Sequence, residues 1–199
     1  MKNTVALKVE IEHVVDKSRF VGILLPVQSK EDLQQALSMI RKAHPKANHV
    51  VHAALFGEAM SLDDDGEPAK TSASPMLDVI NHHQLTNVVM VAVRYFGGIK
   101  LGAGGLVRAY TKTASMAIES ATILVPEVRY PFVIHCTYDA YYKLPTLLPY
   151  QVLHVDYQDH VTVTLQVDAP ERSTLEKLSH LFIEMTALEL VVEYVAKKE

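Results

Sequence analysis

The chain has a single cysteine, no tryptophan, and no excess of either charge large enough to dictate its partners. Cys136 alone cannot close an internal disulfide or furnish a cysteine-based zinc site, so a reduced, intracellular protein is expected. The 19 Lys and Arg residues against 23 Asp and Glu leave a formal charge of -4. This excludes a protein that coats nucleic acid through bulk positive charge, while permitting a local basic patch. Long apolar runs are missing too. The cleanest, Val88 to Val93, is far short of the ~20 residues a membrane helix requires, and the opening residues alternate apolar with charged side chains, unlike a signal peptide. No membrane association and a cytoplasmic location are the expectations. What is present is enough for a core: 49% of 199 residues are hydrophobic, which suits one large domain or two small ones and argues against wholesale disorder.

Hydrophobic periodicity predicts an α+β fold. Thr4 to Val14 reads as one strand with Val5, Leu7, Val9 and Ile11 on a single face, followed by a turn at Asp16 and Lys17 and a strand from Phe20 to Val27. Ser29 and Asp32 form a capping pair for a helix carrying Leu33, Ala36, Leu37 and Ile40, which must stop before His44-Pro45. His49 to Phe56 is a strand, residues 57 to 71 a polar loop, and Ser74-Pro75 supplies the N-cap and first-turn proline of a short helix. Asn87 to Val93 has the continuous apolar, β-branched character of a strand covered on both faces. A helix with Leu106, Tyr110, Ala114, Ala117 and Ile118 inward follows a glycine cluster. Beyond a boundary near Ile123 to Arg129 the order becomes βαββαβ, ending in a strand from Leu188 to Val195 and a frayed tail at residues 197–199; this order suggests a ferredoxin-like sandwich. Each half is expected to be a two-layer unit.

The segment from Val93 to Tyr110 is the richest in chemistry. A buried strand delivers the chain into Arg94-Tyr95-Phe96-Gly97-Gly98, then Lys100, Gly102, Gly104 and Gly105 open a helix bearing Arg108. Glycines permit positive φ and let a phosphate approach exposed amides, and a helix N-terminus adds partial positive charge. The P-loop pattern fails because Ala103 stands where its lysine belongs, and the dinucleotide fingerprint fails at Val107, so no nucleotide cofactor is expected. An equally open alternative is that the glycines solve a packing problem and the arginines are salt-bridged.

Two further groups of residues bear on function. Asp63-Asp64-Asp65-Gly66-Glu67 has the carboxylate density of a divalent-cation site, but lacks the EF-hand spacing; a solvated turn, or one capping amides and pairing arginine, is the competing reading. His49 and His52 stand three apart on a strand and so face opposite ways, a poor local chelate. No metal site is expected. Cys136 inside a strand is an inert buried thiol by default.

Lys17-Ser18-Arg19-Phe20, His44-Pro45 with His49, Asp64-Asp65-Gly66-Glu67-Pro68 with Pro75-Met76-Leu77, and the glycine run through Arg108-Ala109-Tyr110 together resemble the IMPACT family in its bacterial YigZ-like branch. The resemblance implies an N-terminal domain over residues 1–125 with the ribosomal-protein-S-five domain-two-like fold. It implies a ferredoxin-like C-terminal domain over residues 126–199, similar to the last domain of elongation factor G. Eukaryotic relatives regulate translation under stress, which makes RNA or the ribosome the implied partner. Two departures stand out: Lys70 and Ala73 occupy positions where the family usually has glycine, and Val51 stands at or beside a position where many members carry cysteine.

Three functions are therefore expected in descending order. The first is a non-enzymatic regulator accepting RNA phosphates through Lys70, Arg94, Tyr95, Phe96, Gly97, Gly98, Lys100, Gly102, Gly104, Gly105 and Arg108. The second is a metal-assisted phosphodiester or nucleotide hydrolase using Asp64, Asp65, Glu67 and His49. The third is an adaptor that docks protein partners. Asp64 or Glu67 holding Arg94 or Arg108 in a buried pair would count against the hydrolase.

Overall fold

The computed structural model describes residues 1–197, so residues 198 and 199 of the expected frayed tail lie outside the described residues. The chain falls into two compact units, Met1–Val125 (to which Ala196 returns) and Pro126–Val195.

The first unit is built on a five-stranded antiparallel sheet. β2 (Val9–Val15) and β3 (Ser18–Pro26) form a hairpin closed by Asp16 and Lys17, whose φ values of 44° and 64° are the left-handed pair that a tight two-residue turn demands. β6 (Val88–Tyr95) pairs with β3 on one side and β4 (His49–Phe56) on the other, and β5 (Ala59–Asp63) lies on the outer edge of β4. The order is β2-β3-β6-β4-β5. Because β6 is central, both of its faces are buried, which explains its unbroken apolar sequence. Val88, Met90 and Ala92 pack with residues of α2 (Ala73–His82) and α3 (Gly102–Glu119), whereas Val89, Val91 and Val93 share a second core with Leu33 and Ile40 of α1 (Lys30–Ala43). The unit thus has three layers, where two were expected: the helix joining β3 to β4 covers one face and the two later helices the other.

Local signals set the helix limits. Ser29 Oγ accepts from the Asp32 amide at 3.0 Å, Asp32 accepts in return from the Gln28 amide at 2.9 Å, and α1 ends at Ala43 before the proline. In α3 the buried residues Leu106, Ala109, Tyr110, Thr113, Ala114, Ala117 and Ile118 repeat at the helical period. Gly22 of β3 lets this helix sit close, since a Cβ there would come within 2.7 Å of Thr113 Cγ2. Two expectations are corrected. The long first strand is broken, because β1 (Thr4–Val5) leaves to pair with Leu124 and Ile123, burying Val5 and leaving Leu7 76% exposed. The supposed loop after Phe56 contains β5, whose side chains are nearly all exposed and so give no alternation to read.

The second unit runs β7 (Ile123–Cys136, begun in the first unit), α4 (Tyr138–Leu147), β8 (Gln151–Tyr157), β9 (Val161–Val167), α5 (Ala169–Lys177), a 3-10 turn at Leu178–Leu181, β10 (Glu184–Ala187) and β11 (Val191–Ala196). β9 pairs with β7 and β8, while β10 and β11 pair with β7. Phe132, Ile134, Val161, Val163 and Leu165 share a core with Leu144 and Leu175 of the helices. Val161, Val163, Leu165 and Val167 of β9 face this core, and the intervening Thr162 and Thr164 are half-buried, although Gln166 is buried as well. The expected closing strand from Leu188 is present as β11, starting at Val191, and the unexpected short strand β10 precedes it; Cys136 is buried, which pushes its thiol pKa up. Among the described residues no helix is long and apolar enough to cross a membrane.

Candidate functional site

In the first unit, the ends of β4 and β6, the acidic turn and the start of α3 enclose a cleft of about 370 Å³. Its wall includes His49, Glu67, Arg94, Phe96, Lys100 and Gly102, with Pro68, Leu101, Ala103 and Leu106 as the less polar lining.

At the buried end of the cleft lies a three-residue network. Arg94 comes up from β6, and its Nη1 donates to Glu67 Oε1 at 2.6 Å; the Tyr110 hydroxyl of α3 donates to the same oxygen at 2.6 Å. All three residues are buried. Burial, and then the bond to Glu67, raise the Tyr110 pKa and keep the hydroxyl protonated. Arg94 Nη2 reaches Ser18 Oγ at 3.4 Å, but its Nε is buried without a partner. The anticipated buried pair is therefore Glu67 with Arg94, which cancels the charge of one expected phosphate ligand.

The acidic turn is used up by the fold. Asp64 caps α2, accepting from the Ala73 amide at 2.9 Å, the Lys70 amide at 3.2 Å and the Ser72 hydroxyl. Burial pushes its carboxyl up, but these bonds together hold it below the usual range. The helix begins at Ala73, so Asp64 does the capping that Ser74 was expected to do. Asp65 accepts from the Val50 amide at 2.6 Å and from both terminal nitrogens of Arg41 at 3.3 Å. The carboxylates thus point to three different partners, and among the described residues no group of three or more acidic, histidine or cysteine side chains is arranged to hold a metal ion. The hydrolase reading with Asp64, Asp65, Glu67 and His49 requires these carboxylates to converge, whereas Asp64 and Asp65 are engaged with separate parts of the fold.

His49 does meet the acidic turn, as that reading required, but in a different role. Its Nδ1 lies 2.8 Å from the Asp65 carbonyl oxygen, which can only accept, so Nδ1 carries the hydrogen. Its Nε2 is 3.9 Å from Glu67 Oε1 at the cleft wall. His52, on the other face of β4, bonds Ser61 Oγ through Nε2 at 3.0 Å; burial lowers its pKa, and it takes no part in the cleft.

The glycine segment divides. Gly97 is pressed against the hairpin turn: a Cβ would sit 2.0 Å from the Lys17 carbonyl carbon, and its amide donates to Ser18 Oγ at 3.3 Å. Its glycine is a packing requirement. Gly98 and Gly102 have φ of 86° and 69° with open space around them. Gly102, Gly104 and Gly105 form the first turn of α3, which has no side-chain cap and no acidic residue. Lys100 is exposed at the cleft, and neither it nor Lys70 nor Arg108 forms an ion pair among the described residues. Arg108 lies over the first turn of its own helix, Nη1 being 3.6 Å from where a Gly104 Cβ would stand. Lys70 has φ of 65° and is exposed, off the cleft wall.

Tyr95 is a correction. Successive strand residues face opposite ways, so with Arg94 in the cleft Tyr95 points to the α1 side. There its hydroxyl is 2.8 Å from His44 Nδ1 and its ring lies under Arg19 at 4.3 Å. Phe96 does line the cleft, 45% exposed, with the Arg94 guanidinium 5.6 Å from its ring. The side chain missed from the sequence is Tyr110, placed in the core by its periodicity; the polar tip of an inward tyrosine was the available signal.

The Impact N-terminal domain matches residues 16–118 of this chain. YvyE of Bacillus subtilis, an IMPACT family member, is 44% identical over 109 residues, 53% of this chain and half of its own length. An IMPACT family member of Haemophilus influenzae is 33% identical over 193 residues, covering 93% of this chain and 92% of its own. YigZ of Escherichia coli is 30% identical over 172 residues, 82% and 84% of the two chains. A crystal structure of a hypothetical protein superposes on the whole chain with a TM-score of 0.60 at 27% identity, covering 99% of its own length. The domain match and the two long alignments agree on one conclusion: the chain belongs to the IMPACT family.

Proposed function

We propose that this protein is a non-enzymatic, translation-associated regulator of the cytoplasm that binds RNA, free or within the ribosome, by accepting phosphate oxygens in the cleft at the start of α3. The observation that carries the reading is the uncapped first turn of that 18-residue helix, free of acidic side chains, opening on the wall that holds Lys100. Unsatisfied amides and the helix dipole favour an anion there. With Arg94 matched by Glu67, the surplus positive charge at the wall comes from Lys100. The partnerless Arg94 Nε supplies a further buried donor that a bound oxygen would satisfy. Phe96 offers an exposed ring for a base to stack on.

The same reading takes the first unit, residues 1–125, as ribosomal-protein-S-five domain-two-like. It takes residues 126–199 as a ferredoxin-like domain, in keeping with the βαββ order and with β7 flanked by β9 and β10. A protein-docking role is the second reading. It is favoured by the exposed apolar side chains Leu188, Leu190, Val191 and Val192 of the second unit.

The test is binding of a labelled single-stranded RNA at a series of salt concentrations. Affinity is expected to fall with salt at about 0.7 log per log for each phosphate contacted, and Lys100→Glu to weaken binding and flatten that slope by about one contact. Binding that ignores both salt and Lys100 overturns the phosphate reading.

A further inference from the structure

The tautomer of His49 says more about the occupant than the cleft's charge does. Because Nδ1 is committed to the Asp65 carbonyl, neutral His49 turns a lone pair at Nε2 toward the cleft wall. A second acceptor, Glu67 Oε1, lies 3.9 Å from Nε2. Two acceptors cannot bond each other, and 3.9 Å exceeds hydrogen-bond reach even with a proton between them. Glu67 Oε1 already receives Arg94 and Tyr110, whereas His49 Nε2 is an acceptor with no donor from the described chain and is open to solvent at the cleft. Among the described residues the ring's one hydrogen bond is through Nδ1.

The cleft thus offers two opposite kinds of contact: donors for an oxyanion at Lys100 and the start of α3, and an acceptor for a hydroxyl at His49. Its third surface is aromatic, Phe96. A phosphate, a hydroxyl donor and a flat ring are the three parts of a ribonucleotide unit, and about 370 Å³ is in the range of pockets that enclose small ligands. We propose that His49 Nε2 accepts a hydrogen bond from a ribose 2′-hydroxyl, so that the cleft distinguishes RNA from DNA. This rests on the phosphate reading above and adds the sugar to it. The 2′-hydroxyl is the one donor that every RNA unit has and DNA lacks, and it is the group by which proteins separate the two.

The experiment compares three oligonucleotides of one sequence, RNA, DNA and 2′-O-methyl RNA, against the wild-type protein, His49→Phe, His49→Gln and Lys100→Glu, with thermal melts confirming that each variant folds. Expected is tighter binding of RNA than of DNA by roughly tenfold, the size of one good hydrogen bond. The methylated RNA, which keeps the oxygen but loses the donor, should behave as DNA does. His49→Phe should erase the preference by weakening RNA alone; His49→Gln, whose amide oxygen can still accept, should keep part of it; Lys100→Glu should weaken all three together. Equal binding of RNA and DNA by the wild type, or a preference that survives in His49→Phe, overturns the role of His49 and leaves the phosphate reading standing. Failure of the wild type to bind any of the three overturns the phosphate reading itself.

Discussion

The acidic turn from Asp63 to Glu67 and the glycine segment from Gly97 to Gly105 border the same cleft, and by sequence the turn is the more conspicuous of the two. In the folded protein their roles are reversed. Asp64 satisfies the start of α2, Asp65 ties Val50 and Arg41, and Glu67 holds Arg94 and Tyr110, so the charged turn presents few unmet groups. The glycine segment carries little formal charge, yet the first turn of α3 is left without a cap. The difference lies in what each kind of polar group can reach. A carboxylate on a turn can swing to any nearby donor, whereas amides at a helix start are fixed in direction and wait for something to arrive.

The largest effect that would break this contrast comes from Glu67. Replacing it with alanine strands a buried guanidinium, and the expected loss is about 3–5 kcal/mol of stability, measured by urea denaturation. A loss under about 1 kcal/mol would mean that the pair is not structural and that Glu67 is free for another task. Gly97→Ala comes next. It belongs to the glycine segment by sequence but to the packed side of the comparison by structure, since its Cβ would collide with the Lys17 backbone and not with a flexible side-chain end. Overpacking of that kind costs about 1–3 kcal/mol, and the upper end is expected here. A neutral result would show that the hairpin turn yields easily.

Asp64→Ala removes a helix cap and should cost about 1–2 kcal/mol. The same residue gives a pH signature. Its carboxyl is held below the ordinary range in the folded state, so the unfolded chain binds the proton more readily as pH falls. Its contribution is present in full above the unfolded carboxylate range and is lost as pH drops through the depressed folded value. The stability gap between wild type and Asp64→Ala should therefore be widest near neutrality and narrow in acid. A gap that widens on acidification would contradict the capping role.

Most of this arrangement was legible wherever one element supplied the signal. The unbroken run Val88–Val93 announced a strand covered on both sides, and the spacing of Leu106, Tyr110 and Ala114 announced the buried face of α3. Tyr95 was legible too: strand alternation alone sends it away from Arg94, and grouping the two as one motif obscured this. Pro75 suits a first helical position and so points to Ser74 as the cap of α2, yet the helix begins at Ala73 and proline is equally tolerated later in the first turn. What no local pattern carried was the meeting of Glu67 with Tyr110, 43 residues apart, or of His49 with the Asp65 carbonyl. Those depend on how three strands and a helix end at the same edge. β5 was invisible because an edge strand exposed on both faces has no burial period.

The smallest effect is also the sharpest test of the comparison within the glycine segment itself. Gly104 lies two positions into α3, with its Cβ direction open apart from the movable end of Arg108 at 3.6 Å. Gly104→Ala should therefore raise stability by about 0.5 kcal/mol, because alanine loses less backbone freedom on entering a helix. The backbone amide is unchanged, so RNA affinity should stay within twofold of the wild type. Against Gly97→Ala, this gives opposite signs from two glycines seven residues apart. If Gly104→Ala instead destabilises the fold, the start of α3 is packed and not open. If it leaves stability alone but abolishes binding, the approach of the ligand needs the missing side chain, and close backbone contact rather than amide direction is what the glycine supplies.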